Sequence, residues 1–162
     1  MTTIASSSPR ALPLPSARTL VHLVVGGFAG LGFWEVFSAV PTAWVAGFAL
    51  EPPELVKALI FTWTGIETPT TIAKLLHFVT GFLVYPLGYF IQTRWLRRFG
   101  MPADGWIWGV VTYVIALGVL APLAGQAFLL RDVPLLSFMS LVGHAIYGWI
   151  AAEVFERLER AG

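Results

Sequence analysis

The chain contains no cysteine, which excludes disulfides, thiolate zinc sites, iron–sulfur clusters and thiol redox chemistry. Charge is also scarce, because Lys, Arg, Asp and Glu make up 12% of the 162 residues, about half their usual share in soluble domains. Hydrophobic residues reach 57%, more than so few charged side chains could shield from water in a fold of this size. The excess apolar surface must therefore face lipid, and we expect an all-α integral membrane protein.

Motifs that identify common reactions are missing as well. The sequence contains no Walker loop, dinucleotide-binding glycine motif, zinc-protease motif or serine nucleophile elbow. Its histidines are too scattered for a compact metal site. The basic cluster at 94–98 follows an apolar run, where it is typical of an anchor beside anionic headgroups and does not indicate a nucleic-acid site. The sequence identifies no catalysed reaction, and we expect a non-catalytic protein.

Four apolar runs are long enough to cross a bilayer, which requires about 20 helical residues each. We predict a four-transmembrane-helix bundle with spans at 19–40, 70–92, 106–130 and 135–155.

The segments outside the spans differ in composition. Residues 1–17 are rich in Ser, Pro and Ala and predict a disordered cytoplasmic tail, which leaves 18–162 as a single membrane domain. Between the first two spans, the apolar pieces 43–50 and 55–63 are too short to cross a bilayer. We expect a short interfacial helical segment there.

The basic residues are distributed unevenly between the two faces of this predicted topology. Seven lie on the side that holds both termini, and three lie on the other side. The seven are Arg10, Arg18, Arg94, Arg97, Arg98, Arg157 and Arg160, and the three are Lys57, Lys74 and Arg131. The positive-inside rule then predicts a multi-pass protein of the bacterial inner membrane with both termini in the cytoplasm.

Histidines begin stripes of mostly small residues at a four-residue spacing, and residues four apart share one helix face. The stripes are His22–Gly26–Gly30, His77–Gly81 and His144–Gly148, and the third span carries Gly105 and Gly109 at the same spacing. Small residues allow close approach of membrane helices, and polar side chains can hydrogen-bond across the contact. One interpretation is therefore that these residues, His22, Gly26, Gly30, Gly105 and Gly109 above all, form packing seams.

A second interpretation is a bis-histidine site for haem b. A neutral imidazole can bind haem iron, and Gly81 and Gly148 would leave room for the flat macrocycle. At a rise of about 1.5 Å per residue, His77 and His144 lie roughly 10 Å and 15 Å below the outer boundary, so the depths are compatible. His22 lies near the opposite face. No metal other than haem iron is expected.

Glu35 is the acidic residue that lies well inside a predicted span, and such groups are functional candidates. We consider a proton-handling or quinone-contact role, or a simple hydrogen bond to Tyr or Trp on a neighbouring helix.

These observations lead to hypotheses from different functional classes. The first is a non-catalytic accessory or scaffold subunit of a larger respiratory or photosynthetic complex in a bacterial membrane. The alternatives are a small haem b electron-transfer protein and, because the spans hold few polar residues, less favourably a carrier or channel. The expected partners are the lipid bilayer, other membrane subunits, and a quinone or lipid, with no nucleic acid.

Overall fold

The computed structural model describes residues 14–161, so most of the predicted tail at 1–17 lies outside the described residues. The described residues are almost entirely helical and contain no β-strand. In chain order the helices are α1 (Ala17–Ala39), α2 (Pro41–Ala46), α3 (Pro52–Thr64), α4 (Thr70–Leu96), α5 (Ala103–Leu123) and α6 (Pro134–Ala161), with a short 3-10 turn at Phe128–Leu130.

Among the described residues, four helical stretches are long and apolar enough to cross a membrane. They are α1 continued by α2 (Ala17–Ala46), α4, α5 and α6. The expectation of an all-helical chain with four helices of spanning length is thus confirmed for residues 14–161. The short helix α3 lies between the first two of these stretches, where the sequence predicted a short helical segment.

Proline and glycine set the ends and irregularities of these helices. Pro86 and Pro122 lack a backbone N–H, and each follows a wider π-helical stretch, Thr80–Val84 in α4 and Val114–Leu120 in α5. Soon after Pro122 the helix stops, and Gly125 turns the chain with φ of 79°. Helix α5 therefore ends at Leu123 and not at residue 130, where the sequence placed the end of the third span.

Helix α6 is the central helix of the bundle, because it packs against both α1 and α5. Both contacts run along glycines. A Cβ at Gly26 would lie 2.5 Å from the carbonyl oxygen of Ala151, and one at Gly105 would lie 2.9 Å from the Cα of Trp149. Helix α4 packs against the other side of α1. The glycine stripes of α1 and α5 thus lie in helix–helix contacts.

The start of α1 and the end of α6 meet at one end of the bundle, which we call the terminal end. There Nδ1 of His22 lies 2.6 Å from Oε1 of Glu159. The end of α4 is also there, since Arg94 and Arg98 donate to the buried carboxylate of Glu156 at 3.1 and 2.8 Å. The long helices therefore alternate in direction, and α2 and α3 lie at the opposite, distal end.

Candidate functional site

A cavity of about 580 Å³ lies in the distal half of the bundle, within the range of about 300–1,000 Å³ typical of small-molecule sites. Every long helix contributes to its wall, and residues 48–51 together with the first turn of α3 complete it. Its walls are mainly aliphatic and aromatic, and they include Leu31, Trp34, Leu50, Leu55, Val56, His77, Gly81, Tyr85, Ala116, Leu117, Leu120, Leu130, Leu136, Ser140, His144 and Tyr147.

The cavity exists because α4 and α5 separate towards the distal end. In the terminal half they meet where the ring of Trp108 packs on Gly88. Farther along, α3 occupies the gap and packs on both α4 and the end of α5. The indole N–H of Trp63 on α3 donates to the carbonyl of Leu123 at 3.0 Å. A short helix thus closes the bundle on this side without filling its interior.

His144 presents an unprotonated ring nitrogen on the cavity wall. Its Nδ1 lies 2.8 Å from the backbone oxygen of Ser140, and a carbonyl oxygen can only accept, so Nδ1 carries the proton. Nε2 therefore keeps its lone pair. The imidazole is 7% exposed and packs edge-on against Trp34, with ring centroids 4.3 Å apart. His144 is consequently a fixed acceptor in an apolar environment.

His77 lies in the part of the wall formed by α4 and is paired with Glu35. Its Nε2 is 2.8 Å from Oε1 of Glu35, an arrangement in which the imidazole donates to the carboxylate. The His77 side chain is 14% exposed and that of Glu35 is 44% exposed. His77 lines the cavity, whereas Glu35 is not part of its wall. The partner of Glu35 is thus a histidine, and not the Tyr or Trp considered from the sequence.

Trp34 supplies a hydrogen-bond donor that the sequence did not bring to attention. The residue is 6% exposed, and its Nε1 has no hydrogen-bond partner among the described residues. A buried donor left unpaired costs about 1–3 kcal/mol. Trp34 lines the cavity, but its Nε1 is itself buried, so a ligand would accept from it after a small rotation of the indole. Trp34 follows Gly30 by four residues and continues the His22 stripe, and extending that stripe by one step would have identified it.

The other predicted site residues divide between the cavity and the packing contacts. Gly81 lines the cavity, and its carbonyl accepts from the hydroxyl of Tyr147 at 2.6 Å. Gly148 instead faces α5, where a Cβ would lie 2.5 Å from the Cα of Gly109. Gly148 therefore leaves no room for a macrocycle, while His77, His144 and Gly81 share one cavity.

The histidine and carboxylate side chains of the cavity can be compared with those that would bind a haem or a metal ion. No group of at least three His, Asp or Glu side chains suited to a metal ion occurs among residues 14–161. Glu51 and Glu54 lie in the cavity wall at the distal end, and Lys57 pairs with Glu54 at 3.0 Å. At this rim of the cavity, the negatively charged propionates of a haem would be repelled by the carboxylates of Glu51 and Glu54. His77 has its Nε2 engaged with Glu35, which leaves His144 as the ring better placed to bind iron.

The chain is thus defined as an all-helical protein with four helices of membrane-spanning length around an apolar cavity that carries a few polar groups. No protein-family model, curated protein or solved structure matches it. Function is therefore inferred from the residues of the cavity.

Proposed function

We propose that this chain is a membrane-embedded binding subunit that holds a neutral amphiphile of the quinone or quinol class in its distal cavity. The observation that carries the proposal is one apolar cavity of about 580 Å³ whose wall includes His77, His144 with its Nδ1 held by Ser140, and Trp34, whose buried N–H has no partner among the described residues.

The hydrogen-bonding groups match the functional groups of such a ligand. A quinone carbonyl can accept from the N–H of Trp34, and a quinol hydroxyl can donate to Nε2 of His144. Leucine side chains such as Leu31 and Leu117 provide apolar contact for the ring. Ligand sites of this kind combine a mostly apolar wall with a few placed polar groups. Both oxidation states of the ligand would thus find a partner.

The charge at the cavity rim favours a neutral ligand over an anionic one. Glu51 and Glu54 both lie in the wall, and the lysine near them, Lys57, already pairs with Glu54. An anionic head entering past Glu51 would meet like charge with reduced screening from water. Fatty acids and haem propionates are disfavoured on this ground, whereas an uncharged quinone head is not.

Haem b remains the second candidate because of one specific feature of His144. Its Nδ1–H is fixed by the backbone oxygen of Ser140 at 2.8 Å, as is usual for histidines that bind a metal through the other nitrogen. His144 would then be the residue that holds the haem iron, and the haem would supply one-electron transfer chemistry. We rank haem b second because Nε2 of His77 already pairs with Glu35 and because the carboxylates at the rim would repel haem propionates.

We further propose that the chain acts as a non-catalytic accessory subunit of a larger complex in the bacterial inner membrane, with both termini in the cytoplasm. The positive-inside rule supports this orientation. Large apolar side chains are exposed along the helices, among them Phe28, Val36, Phe138 and Trp149. Such a surface suits lipid and the helices of neighbouring subunits.

The test uses the full chain purified in mild detergent. Isothermal titration with decylubiquinone is expected to show saturable binding near one ligand per chain, and absorption spectra before and after dithionite are expected to show no haem band. Absence of decylubiquinone binding would refute the quinone proposal. A near-stoichiometric haem band that disappears in His144→Ala would establish the second candidate in its place.

A further inference from the structure

We infer that the Glu35–His77 pair is a proton path between the distal cavity and the surface of the bundle, an inference that rests on the proposed function. Binding of a ligand with an acidic hydroxyl would then be coupled to proton exchange through these two side chains.

The position of the pair carries the inference. His77 lies in the cavity wall and its Nε2 is 2.8 Å from the carboxylate of Glu35. Glu35 is outside the cavity wall and its side chain is 44% exposed. The two groups therefore form a continuous contact from the cavity to the outside of the bundle. The pair joins α1 to α4 in their distal parts, with Glu35 five residues and His77 seven residues inside the ends of their predicted spans.

An imidazole can pass a proton because its two ring nitrogens can gain and lose protons separately. With Nε2–H donating to Glu35, Nδ1 is the nitrogen available to a ligand. When a ligand hydroxyl gives up its proton, the ligand O–H bond breaks and an N–H bond forms at Nδ1. The Nε2–H bond breaks as an O–H bond forms at Glu35. One negative charge thus moves from the carboxylate to the ligand oxygen, and water at the surface can then take the proton from Glu35.

Other titratable groups that line the cavity do not offer the same path. His144 has Nδ1 tied to the Ser140 carbonyl and is 7% exposed, so it has no equivalent exit. Tyr85 lies on the same helix as His77, deeper in the wall, and Tyr147 donates its hydroxyl to the carbonyl of Gly81 at 2.6 Å. Glu51 and Glu54 lie at the rim and have no histidine between them and the cavity opening. Lys74 lies one turn before His77 on α4 and does not line the cavity.

The chain contains a matched control for this pair. His22 and Glu159 form a second imidazole–carboxylate contact, with Nδ1 2.6 Å from Oε1, at the terminal end of the bundle and away from the cavity. Glu159→Gln removes the same charge from the same type of contact as Glu35→Gln does. A general effect of charge on the protein would appear in both variants.

The experiment measures protons taken up on binding by calorimetry in buffers of different ionisation enthalpy. The probes are 2-hydroxy-1,4-naphthoquinone, which is an anion at neutral pH, and uncharged decylubiquinone. Because Glu51 and Glu54 lie in the wall, wild type is expected to bind hydroxynaphthoquinone more weakly than decylubiquinone. It is expected to take up close to one proton with hydroxynaphthoquinone, shared by the His77–Glu35 pair, and none with decylubiquinone. Glu35→Gln is expected to bind hydroxynaphthoquinone about tenfold more weakly, as loss of a charge-assisted hydrogen bond predicts, with proton uptake at least halved. Decylubiquinone affinity and the Glu159→Gln variant should be unchanged.

Each outcome has a defined meaning. Unchanged proton uptake and affinity in both Glu35→Gln and His77→Gln would overturn the inference. So would wild type that binds decylubiquinone but either fails to bind the hydroxynaphthoquinone or takes up no proton with it. The proposed function would survive those results. If wild type binds neither probe, the proposed function and the inference both fail. Retained decylubiquinone binding in Glu35→Gln, and an unchanged α-helical circular dichroism spectrum in His77→Gln, show that the fold is intact.

Discussion

The backbones of Gly109 on α5 and Gly148 on α6 touch directly, since a Cβ at Gly148 would lie 2.5 Å from the Cα of Gly109. On the other side of α6, a Cβ at Gly30 of α1 would lie 2.9 Å from the carbonyl oxygen of Tyr147. Helix α6 thus packs closely against α5 on one side and α1 on the other, and glycines allow both contacts. These contacts fix the side chains of His144 and Tyr147 in the cavity wall.

The α5–α6 seam predicts that Gly148→Ala destabilises the protein. Alanine is the better helix former by about 1 kcal/mol, but the added methyl group must push the helices apart, which costs about 1–3 kcal/mol. We expect a net loss of stability in thermal unfolding in detergent. Gly32→Ala is the control, because a Cβ at Gly32 of α1 would meet nothing within 4 Å. That variant should be neutral or slightly stabilising, and equal destabilisation by both variants would contradict the seam.

The ion cluster at the terminal end predicts a cost for Glu156→Gln. Glu156 is 3% exposed and accepts from Arg94 and Arg98. Removing one partner of a buried ion pair costs about 3–5 kcal/mol, and we expect the low end because the Arg98 side chain is 45% exposed. The control is Glu153→Gln, whose partner Arg157 is 73% exposed and whose effect should stay below about 1 kcal/mol. Denaturant titration in detergent measures both variants, and equal effects would refute the role given to Glu156.

The unpaired indole of the cavity wall predicts that Trp34→Phe weakens quinone binding. The substitution keeps an aromatic ring and removes the N–H. Loss of one neutral hydrogen bond, about 0.5–1.5 kcal/mol, lowers the affinity for decylubiquinone by about two- to tenfold. Trp108→Phe is the matched control, because Nε1 of Trp108 is also buried without a partner among the described residues but lies outside the cavity. An equal loss of affinity in both variants would show that Trp34 makes no direct contact.

The attachment of α3 to α5 predicts the rate at which a ligand leaves the cavity. Trp63→Phe removes the 3.0 Å bond from the indole N–H to the carbonyl of Leu123. Since α3 forms part of the cavity wall through Leu55 and Val56, we expect dissociation of decylubiquinone to become about fivefold faster in stopped-flow experiments, equivalent to about 1 kcal/mol. Trp44→Phe, at a side chain 84% exposed, should leave the rate unchanged. A dissociation rate unaltered in Trp63→Phe would contradict the role of α3 as a cover.

The features of this fold that the sequence predicted depend on composition and local periodicity. Scarce charge and long apolar runs required four spanning helices, and the spacing of Gly26 from Gly30 and of Gly105 from Gly109 indicated the faces on which they pack. The end of α5 was placed seven residues too late, at 130 where the helix stops at Leu123, because the apolar run continues through Phe128–Leu130 after the helix has stopped near Pro122.

The features of the site that were missed depend on contacts between distant parts of the chain. Glu35 and His77 are 42 residues apart, and no local pattern connects them. Gly148 follows His144 at the same spacing as Gly81 follows His77, yet it faces the backbone of α5 because α6 is packed on both sides. The cavity itself results from the separation of α4 and α5, and this separation has no signature in either helix alone.

A quinone site in the distal cavity is tested most directly by photo-cross-linking the full chain in membranes with an azido-quinone and mapping the labelled residues by mass spectrometry. We expect labelling within the peptides that carry Trp34, His144 and Tyr147, and competition by excess decylubiquinone. Labelling confined to exposed residues such as Phe138 and Trp149, without competition, would show that the quinone meets only the outer surface and would contradict a binding site in the distal cavity.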